Sequence, residues 1–208
     1  MSKEITKIET QKKNNARVSI FIDGEFSFGI YYNTLIKFDL VVGLELTDEE
    51  IEEIIIDDEY VKCFNNALNY ISYQERTIKE VKNKLISKEY LNVTINKTIE
   101  ELLKLNYLND FEYAKRFIEV KIKKMGIKKI KYLLIEKGID EKKFEFLLMN
   151  YSEEQQYEIA LLLASKKNNQ YSSISYQKRY SRLSGLLNRK GYSYPIINRV
   201  LSEILEDY

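Results

Sequence analysis

The sequence has no histidine and no tryptophan, and it has a single cysteine among its 208 residues. Without histidine, the chain lacks the usual proton shuttle of active sites and the commonest metal ligand. One cysteine cannot form a disulfide within the chain. Cys63 lies in an apolar pattern with Tyr60, Phe64 and Ala67, which predicts a buried structural thiol. We therefore expect neither a metal site nor a nucleophilic thiol.

The short motifs of common enzyme classes are also missing. The sequence contains no GxGxxG, no Walker phosphate loop and no GxSxG. Carboxylate pairs such as Asp57-Asp58 occur, but they fall in an acidic run that is typical of a solvated helix face. Because no residue stands out as catalytic, we expect a protein that is not an enzyme and needs no cofactor.

Long apolar runs are absent as well. The sequence shows neither the run of about 18 apolar residues that a membrane span needs nor the basic-then-apolar start of a secretory signal. Its composition, 44% hydrophobic and 31% charged, is ordinary for a soluble globular protein. We expect no membrane segment and a cytoplasmic location.

Residues 5–30 differ in pattern from the rest of the chain. Apolar and polar residues alternate there in short runs, and Asp23-Gly24 separates the second run from the third. Asp-Gly between such runs favours a β-hairpin, since both turn residues must accept positive φ. We predict a small antiparallel sheet of two or three strands, with a short helix after it, in residues 1–46. Such a sheet must pack on the following helices to be stable.

An acidic helix is predicted next. Thr47 and Glu50 form a capping box, and nine acidic residues lie in residues 45–59 with no lysine or arginine among them. A solvated helix face with acids near the helix N-terminus explains most of this charge. Repulsion of nucleic acid is a second interpretation.

A three-helix pattern in residues 109–151 organises the remaining chain. Asn109 is a candidate N-cap, and Gly126 and Gly138 separate the apolar rows of three short helices. Looser copies lie on both sides, with Leu85, Leu134 and Leu187 at matching positions. We predict a mainly α fold of three tandem three-helix repeats in an elongated array. The predicted domains after the β region are residues 47–108, 109–153 and 154–208. Chance similarity among amphipathic helices is the alternative.

Basic charge is concentrated in two segments, although the net charge is only +1. Residues 159–202 contain eight basic and no acidic residues, and residues 121–131 contain six lysines and no acid. Such segments can be plain solvated faces, but they favour a polyanion, especially a phosphate backbone, or an acidic protein groove. The candidate binding residues are Lys123, Lys124, Lys128, Lys129, Lys131, Lys178, Arg179, Arg182, Arg189 and Lys190.

Five tyrosines are interleaved with the later basic residues, namely Tyr171, Tyr176, Tyr180, Tyr192 and Tyr194. Exposed tyrosines can stack on unpaired bases, but tyrosine at helical spacing is more often part of a core. For Tyr192 we expect the core position.

Four runs in order along the chain resemble the RecX family: YISYQERTIKEVKNKL, YLNDFEYAKRFI, MGIKKIKYLLIEKGI and GYSYPIINRVL. ITKIETQKK and FIDGEFSFGI are similar to the additional β region of longer members. Three positions depart from the family pattern. Asn109 replaces the first aspartate of a usual Leu-Asp-Asp, and Asn106 replaces a glycine before it. Ile127 replaces the proline of a usual Gly-Pro, which we expect to make the joint at Gly126 less rigid.

The resemblance implies a non-catalytic regulator of the RecA recombinase. Such a protein lies along the RecA filament on single-stranded DNA and dampens ATP hydrolysis and strand exchange. Its implied partners are the RecA filament and single-stranded DNA, with double-stranded DNA as a further candidate, and we expect a monomer. The alternative is a general DNA-binding or architectural helical-repeat protein.

Overall fold

The computed structural model describes residues 2–171 and 173–206. Met1, Ser172, Asp207 and Tyr208 lie outside that part of the chain, and so do the outer ends of the first and last predicted domains. The strands are β1 (Lys3–Gln11), β2 (Asn14–Ile22), β3 (Glu25–Tyr31) and β4 (Glu45–Leu46). The helices are α1 (Tyr32–Lys37), α2 (Asp48–Ser72), α3 (Ile78–Ile86), α4 (Asn92–Lys104), α5 (Asp110–Lys121), α6 (Ile127–Glu136), α7 (Glu145–Leu148), α8 (Glu153–Asn168), α9 (Tyr176–Lys190) and α10 (Tyr194–Glu206).

The N-terminal strands form one antiparallel sheet in the order β3-β2-β1-β4. Asp23 and Gly24 both have positive φ, 49° and 88°, in the turn between β2 and β3, which confirms the predicted hairpin. The fourth strand was not predicted, because its two residues are too few to show an alternating pattern. Ile20 and Ile30 on the sheet share a buried cluster with Ile54 of α2. The sheet therefore packs on a helix, as its small size requires.

Asp58 corrects the expectation that the acidic run is solvated throughout. Its side chain is buried and accepts hydrogen bonds from the backbone N–H of Tyr31 and the hydroxyl of Thr34, at 2.5 and 3.3 Å. It also pairs with Arg17 at 3.2 Å. These partners satisfy the buried carboxylate, which would otherwise be costly. Asp58 thus joins α2 to the sheet.

The acidic helix continues without a break into the first repeat. Thr47 and Glu50 form the predicted capping box, and α2 runs for 25 residues from there. Cys63, in the second half of α2, is fully buried, and burial raises the pKa of its thiol. The expectation of a buried structural cysteine is confirmed.

The helices after the sheet fall into three groups of three, α2–α4, α5–α7 and α8–α10. The mainly α fold with a small N-terminal sheet is therefore confirmed. Leu85, Leu134 and Leu187 lie on the second helix of each group, and all three are fully buried. The third helix of the central group is short: a 3-10 turn at Glu141–Lys143 precedes α7, with the buried ring of Phe144 between them.

The chain divides into two compact units. The first consists of Met1–Glu75 and Val81–Leu108, and the second of Arg76–Glu80 and Asn109–Tyr208. The second unit has two apolar clusters, one around Ile118, Ile130 and Phe144 and one around Leu183 and Val200. Among the described residues, no helix has the length and apolar character needed to cross a membrane.

Candidate nucleic-acid interface

The N-terminus of α6 and the C-terminus of α9 contact each other through their backbones. Gly126, which precedes α6, donates its N–H to the carbonyl oxygen of Lys190 at 2.8 Å. Gly191 ends α9 with a φ of 82°, and a Cβ on it would lie 2.3 Å from the backbone nitrogen of Lys129. A Cβ on Gly126 would lie 2.3 Å from the carbonyl oxygen of Gly191. Only glycine permits so close an approach at either position.

This contact brings together the two basic segments found in the sequence. Lys123 and Lys124 lie in the turn before Gly126, and Arg189 lies at the end of α9. We call the following residues the junction patch: Lys123, Lys124, Lys128, Lys129, Arg189 and Lys190. Lys129 and Lys190 are half-buried and the other four are exposed. Positive charges on two segments about 60 residues apart in sequence thus lie on both sides of one backbone contact.

The exposed face of α9 extends the basic charge along the helix. Lys178, Arg182 and Arg189 are exposed, and their spacing of four and seven residues places them on one side of α9. The guanidinium of Arg182 lies 5.3 Å from the ring centroid of Tyr171, which is partly buried against the core. This distance is within the range of a cation–π contact.

Arg179 differs from its neighbours because it is 9% exposed. It precedes Leu183 and Leu187 by four and eight residues, so it falls on the buried stripe of α9. The expectation that Arg179 contacts DNA or a partner directly does not fit this position, and we leave it out of the proposed interface.

Lys131 is held by acidic residues that follow α6. Its ammonium is 2.8 Å from a carboxylate oxygen of Glu141 and 3.0 Å from one of Glu145. These hydrogen bonds, the one to Glu141 foremost, raise the pKa of Lys131. Lys131 thus joins α6 to the 3-10 turn and to the start of α7, and its charge is less available to a phosphate than that of Lys128.

The tyrosines of this region include one core residue, Tyr192, as the sequence predicted. That ring is buried, and burial raises the pKa of its hydroxyl to about 12. Tyr176, Tyr180 and Tyr194 are exposed. They are available for stacking, whereas Tyr192 belongs to the core.

A side chain of α8 completes the contact at the start of α6. Gln156 is buried, and its Oε1 accepts the backbone N–H of Ile127 at 3.2 Å. A proline at position 127, the usual residue of the family pattern, would have no N–H to donate. The expected loss of rigidity from Ile127 is therefore offset by a hydrogen bond to the third repeat.

A second junction in the same unit repeats this arrangement. The hydroxyl of Thr77, just before α3, donates to the carbonyl oxygen of Lys137 at 2.8 Å. The N–H of Ile78 donates to Oδ1 of Asp110 at 3.0 Å. Gly138, with a φ of 84°, lies against the side chain of Lys79. Residues 77–79, at the start of α3, thus contact the end of α6 and the start of α5 in this unit, much as Gly126 and Ile127 contact the end of α9 and the start of α8.

Sequence reasoning missed Gln156 and both junctions. One signal was present, because the aligned repeats place Gly138 and Gly191 at the same position, each at the end of a second helix. No signal in the sequence pointed to Gln156, which is one of several polar residues at the start of α8. Within residues 2–171 and 173–206, no group of three acidic or sulfur side chains is arranged to hold a metal ion.

Comparisons with known proteins agree with this architecture. Residues 3–47 match the family model of the regulatory protein RecX N-terminal domain. Residues 63–102 match the model of the RecX first three-helix domain, and residues 153–201 match that of the third.

Full-length relatives are similar over nearly the whole chain. The regulatory protein RecX of Clostridium beijerinckii is 36% identical over 207 residues, which cover 97% of this chain and 96% of the relative. The protein of the same name from Clostridioides difficile is 34% identical over 203 residues, covering 97% of this chain and 95% of the relative.

Two crystal structures share the fold. One, of a regulatory protein RecX, has a TM-score of 0.73 at 28% identity and covers 99% of this chain and all of its own. The other, of RecX from Lactobacillus salivarius, has a TM-score of 0.62 at 37% identity and covers 71% of this chain and 97% of its own.

Proposed function

This chain belongs to the RecX family of regulatory proteins, and we propose that it binds the filament that RecA forms on single-stranded DNA. In this proposal, binding lowers the rate of ATP hydrolysis and strand exchange by RecA. The observation that carries the proposal is the junction patch, in which a backbone contact between α6 and α9 brings two acid-free basic segments together. A phosphate backbone is the natural partner of such a surface, because binding releases condensed counterions.

In this proposal the protein acts by binding its partner and catalyses no reaction. A regulator of this kind stabilises one state of its partner by binding that state better than others. The exposed lysines and arginines of the junction patch and of α9 supply binding energy without a reactive group. No catalytic step is needed for the proposed effect.

Tandem repeats suit a helical polymer as partner. Several modest contacts made by one chain along a filament act together, since each contact raises the effective concentration of the next. We therefore expect tighter binding to the RecA–DNA filament than to either component alone.

The test is a titration of this protein into RecA and single-stranded DNA while ATP hydrolysis is measured. We expect inhibition at or below one chain per RecA subunit. A variant with Lys123, Lys124, Lys128 and Arg189 changed to alanine should need at least about tenfold more protein for the same inhibition.

The matched control replaces four exposed lysines of the first repeat, Lys62, Lys82, Lys88 and Lys104, by alanine and should inhibit like the natural chain. Both variants are first compared with the natural chain by thermal unfolding. If the natural chain at saturation leaves ATP hydrolysis unchanged, the proposal fails.

A general DNA-binding protein is the second candidate, because the junction patch by itself identifies only a polyanion. Such a protein binds naked single-stranded DNA as tightly as the RecA-coated strand. Binding to labelled DNA, with and without RecA and a non-hydrolysable nucleotide, separates the two candidates.

A further inference from the structure

Three side chains on the outer face of the N-terminal sheet form one row across its strands. Phe21 of β2 pairs with Lys7 of β1 on one side and with Phe26 of β3 on the other. The rings of Phe21 and Phe26 are in edge contact, with centroids 5.9 Å apart and planes at 80°. The ammonium of Lys7 lies 5.2 Å from the ring centroid of Phe21. We call Lys7, Phe21 and Phe26 the sheet platform.

Two β-bulges turn the sheet platform outward. Ile5 and Phe28 face the buried cluster, so strict alternation would also point Lys7 and Phe26 inward, since each lies two residues away. The register shifts at both places, because β1 has an extra residue between Ile5 and Lys7 and β3 has one between Phe26 and Phe28. As a result Phe26 is 61% exposed, whereas Phe28 is 8% exposed. Bulges that re-aim a side chain in this way are common beside functional sites.

The residues around the sheet platform favour an unpaired base over a protein side chain. Ser19 and Gly29 form the next row along β2 and β3, and Gly29 has no side chain to rise above the platform. The amide of Gln11 donates to the hydroxyl of Ser19 at 3.3 Å, so polar groups lie beside the rings. A base stacks its flat face on an aromatic ring and offers donors and acceptors at its edge.

The charge of the sheet platform suits the phosphate next to such a base. Lys7 is exposed and pairs with the exposed carboxylate of Glu9 at 3.0 Å. An exposed ion pair of this kind contributes little free energy, so a phosphate can replace Glu9 as the partner of Lys7. Glu25 follows the opposite face, because it pairs with Ile22 of the buried cluster. One nucleotide therefore finds a ring and an ammonium in the same row.

From these observations we propose that the sheet platform binds one unpaired base of single-stranded DNA, stacked on the exposed ring of Phe26, with the ammonium of Lys7 at an adjacent phosphate. The inference rests on the proposed binding of single-stranded DNA and adds a base-stacking site in the first unit of the chain. A hydrophobic side chain of a protein partner is the competing occupant, and it would make no use of Lys7.

The first experiment uses the absence of tryptophan from the chain. In Phe26→Trp the single indole reports contact at the sheet platform and is not affected by stacking on the exposed tyrosines of α9 and α10. We expect unlabelled single-stranded DNA to quench its emission, with the same midpoint concentration as binding followed by the anisotropy of a labelled strand. An abasic strand of equal length should bind through its phosphates without quenching. The control is Tyr73→Trp at a position that is 87% exposed just after α2, where the emission should stay unchanged.

The second experiment measures how much the ring of Phe26 contributes to affinity. Phe26→Ala should bind single-stranded DNA about five- to tenfold more weakly, since loss of one stacked base has an effect of this size. Phe26→Tyr keeps the ring and should bind as the natural chain does. The matched control is Phe146→Ala, which removes a phenylalanine of the second unit that is 51% exposed, and it should leave the affinity unchanged.

The outcomes separate this inference from the proposed function. If DNA binds but the emission of Phe26→Trp does not change, or if the abasic strand quenches it equally, the base site is overturned and DNA binding through phosphates stands. If the emission changes only when RecA is present, the sheet platform binds protein, and the base site is again overturned. Equal weakening by Phe26→Ala and Phe26→Tyr would assign the loss to an altered hairpin and overturn stacking. If neither strand binds the natural chain, the inference fails, and the titration of ATP hydrolysis decides the proposed function independently.

Discussion

Gly126 donates its backbone N–H to the carbonyl oxygen of Lys190. Thr77, at the equivalent position of the preceding repeat, donates its hydroxyl to the carbonyl oxygen of Lys137. Both acceptors directly precede a glycine in the left-handed conformation, Gly191 or Gly138. In both cases the residue just before a second helix therefore donates a hydrogen bond to the residue just before that glycine.

A buried side chain of the following repeat caps the same helix start in each case. Asp110 accepts the N–H of Ile78, and Gln156 accepts that of Ile127. These acceptors satisfy N–H groups that an isolated helix leaves without partners. The equivalent of the two glycines in the first repeat is Glu89, which also has a positive φ, 62°. Glu89 is exposed, so its side chain extends into solvent.

We expect Gly191→Ala to destabilise the second unit by clearly more than Gly24→Ala. Both glycines have φ above 80°, so in both variants an alanine must adopt the left-handed conformation, which costs about 1–2 kcal/mol. A Cβ at position 24 meets nothing within 4 Å, whereas a Cβ at 191 meets the backbone of Lys129 at 2.3 Å. Urea unfolding of the two variants measures the difference in the free energy of unfolding. Equal losses would show that the backbone around Gly191 shifts at little cost to admit a methyl group.

Leu134→Ala should cost about 2–5 kcal/mol in the free energy of unfolding, because the side chain is fully buried on the second helix of the central repeat. The neighbouring Ile135, which is 49% exposed, is the matched control and should cost less than about 1 kcal/mol when changed to alanine. Chemical denaturation followed by circular dichroism measures both. Similar losses in the free energy of unfolding for both variants would show that the side chain of Leu134 does not contribute more to stability than that of Ile135.

Replacement of Lys178, Arg182 and Arg189 by alanine should flatten the dependence of single-stranded DNA affinity on salt. Each lost phosphate contact lowers the slope of log affinity against log salt by about 0.7, so three contacts give a change of about two units. The substitution of the buried Arg179 is left out, because it would perturb the core. Fluorescence anisotropy at several salt concentrations measures the slope, and an unchanged slope would place this face of α9 away from phosphates.

The stability of the natural chain should depend on pH through Asp110. Burial raises the pKa of this carboxyl, although the N–H of Ile78 and the nearby Lys143 act in the opposite direction, and Glu80 raises it further. Since the folded state binds the proton more tightly, the stabilisation is complete below the unfolded pKa of about 3.9 and is lost as pH rises through the folded pKa.

Asp110→Asn tests this pH dependence, since it keeps an oxygen for the N–H of Ile78 and does not titrate. We expect the natural chain to lose stability relative to this variant as the pH is raised from about 3 to 7. Urea unfolding at each pH gives the two free energies. A constant difference between them would show that the proton of Asp110 is not linked to folding.

Local features of this protein were determined by the sequence alone. Asp23-Gly24 specifies its hairpin, and Thr47 with Glu50 specifies the start of α2, because turn and cap chemistry involves only neighbouring residues. The buried rows that contain Leu85, Leu134 and Leu187 follow from helical periodicity. The burial of Arg179 also follows that periodicity, since it lies on the same face of α9 as Leu183 and Leu187. Because Arg179 is charged, the sequence analysis placed it among the binding residues instead.

Contacts between distant residues were decided only by the tertiary structure. The contact of Gly126 with Lys190, the burial of Asp58 against the sheet and the hydrogen bond from Ile127 to Gln156 depend on how helices pack. A helical pattern does not specify which helix it packs against. Two basic segments with the same composition could face apart or together. Here the absence of a Cβ at Gly126 and Gly191 allows the backbones to touch, and that contact places the charges around one junction.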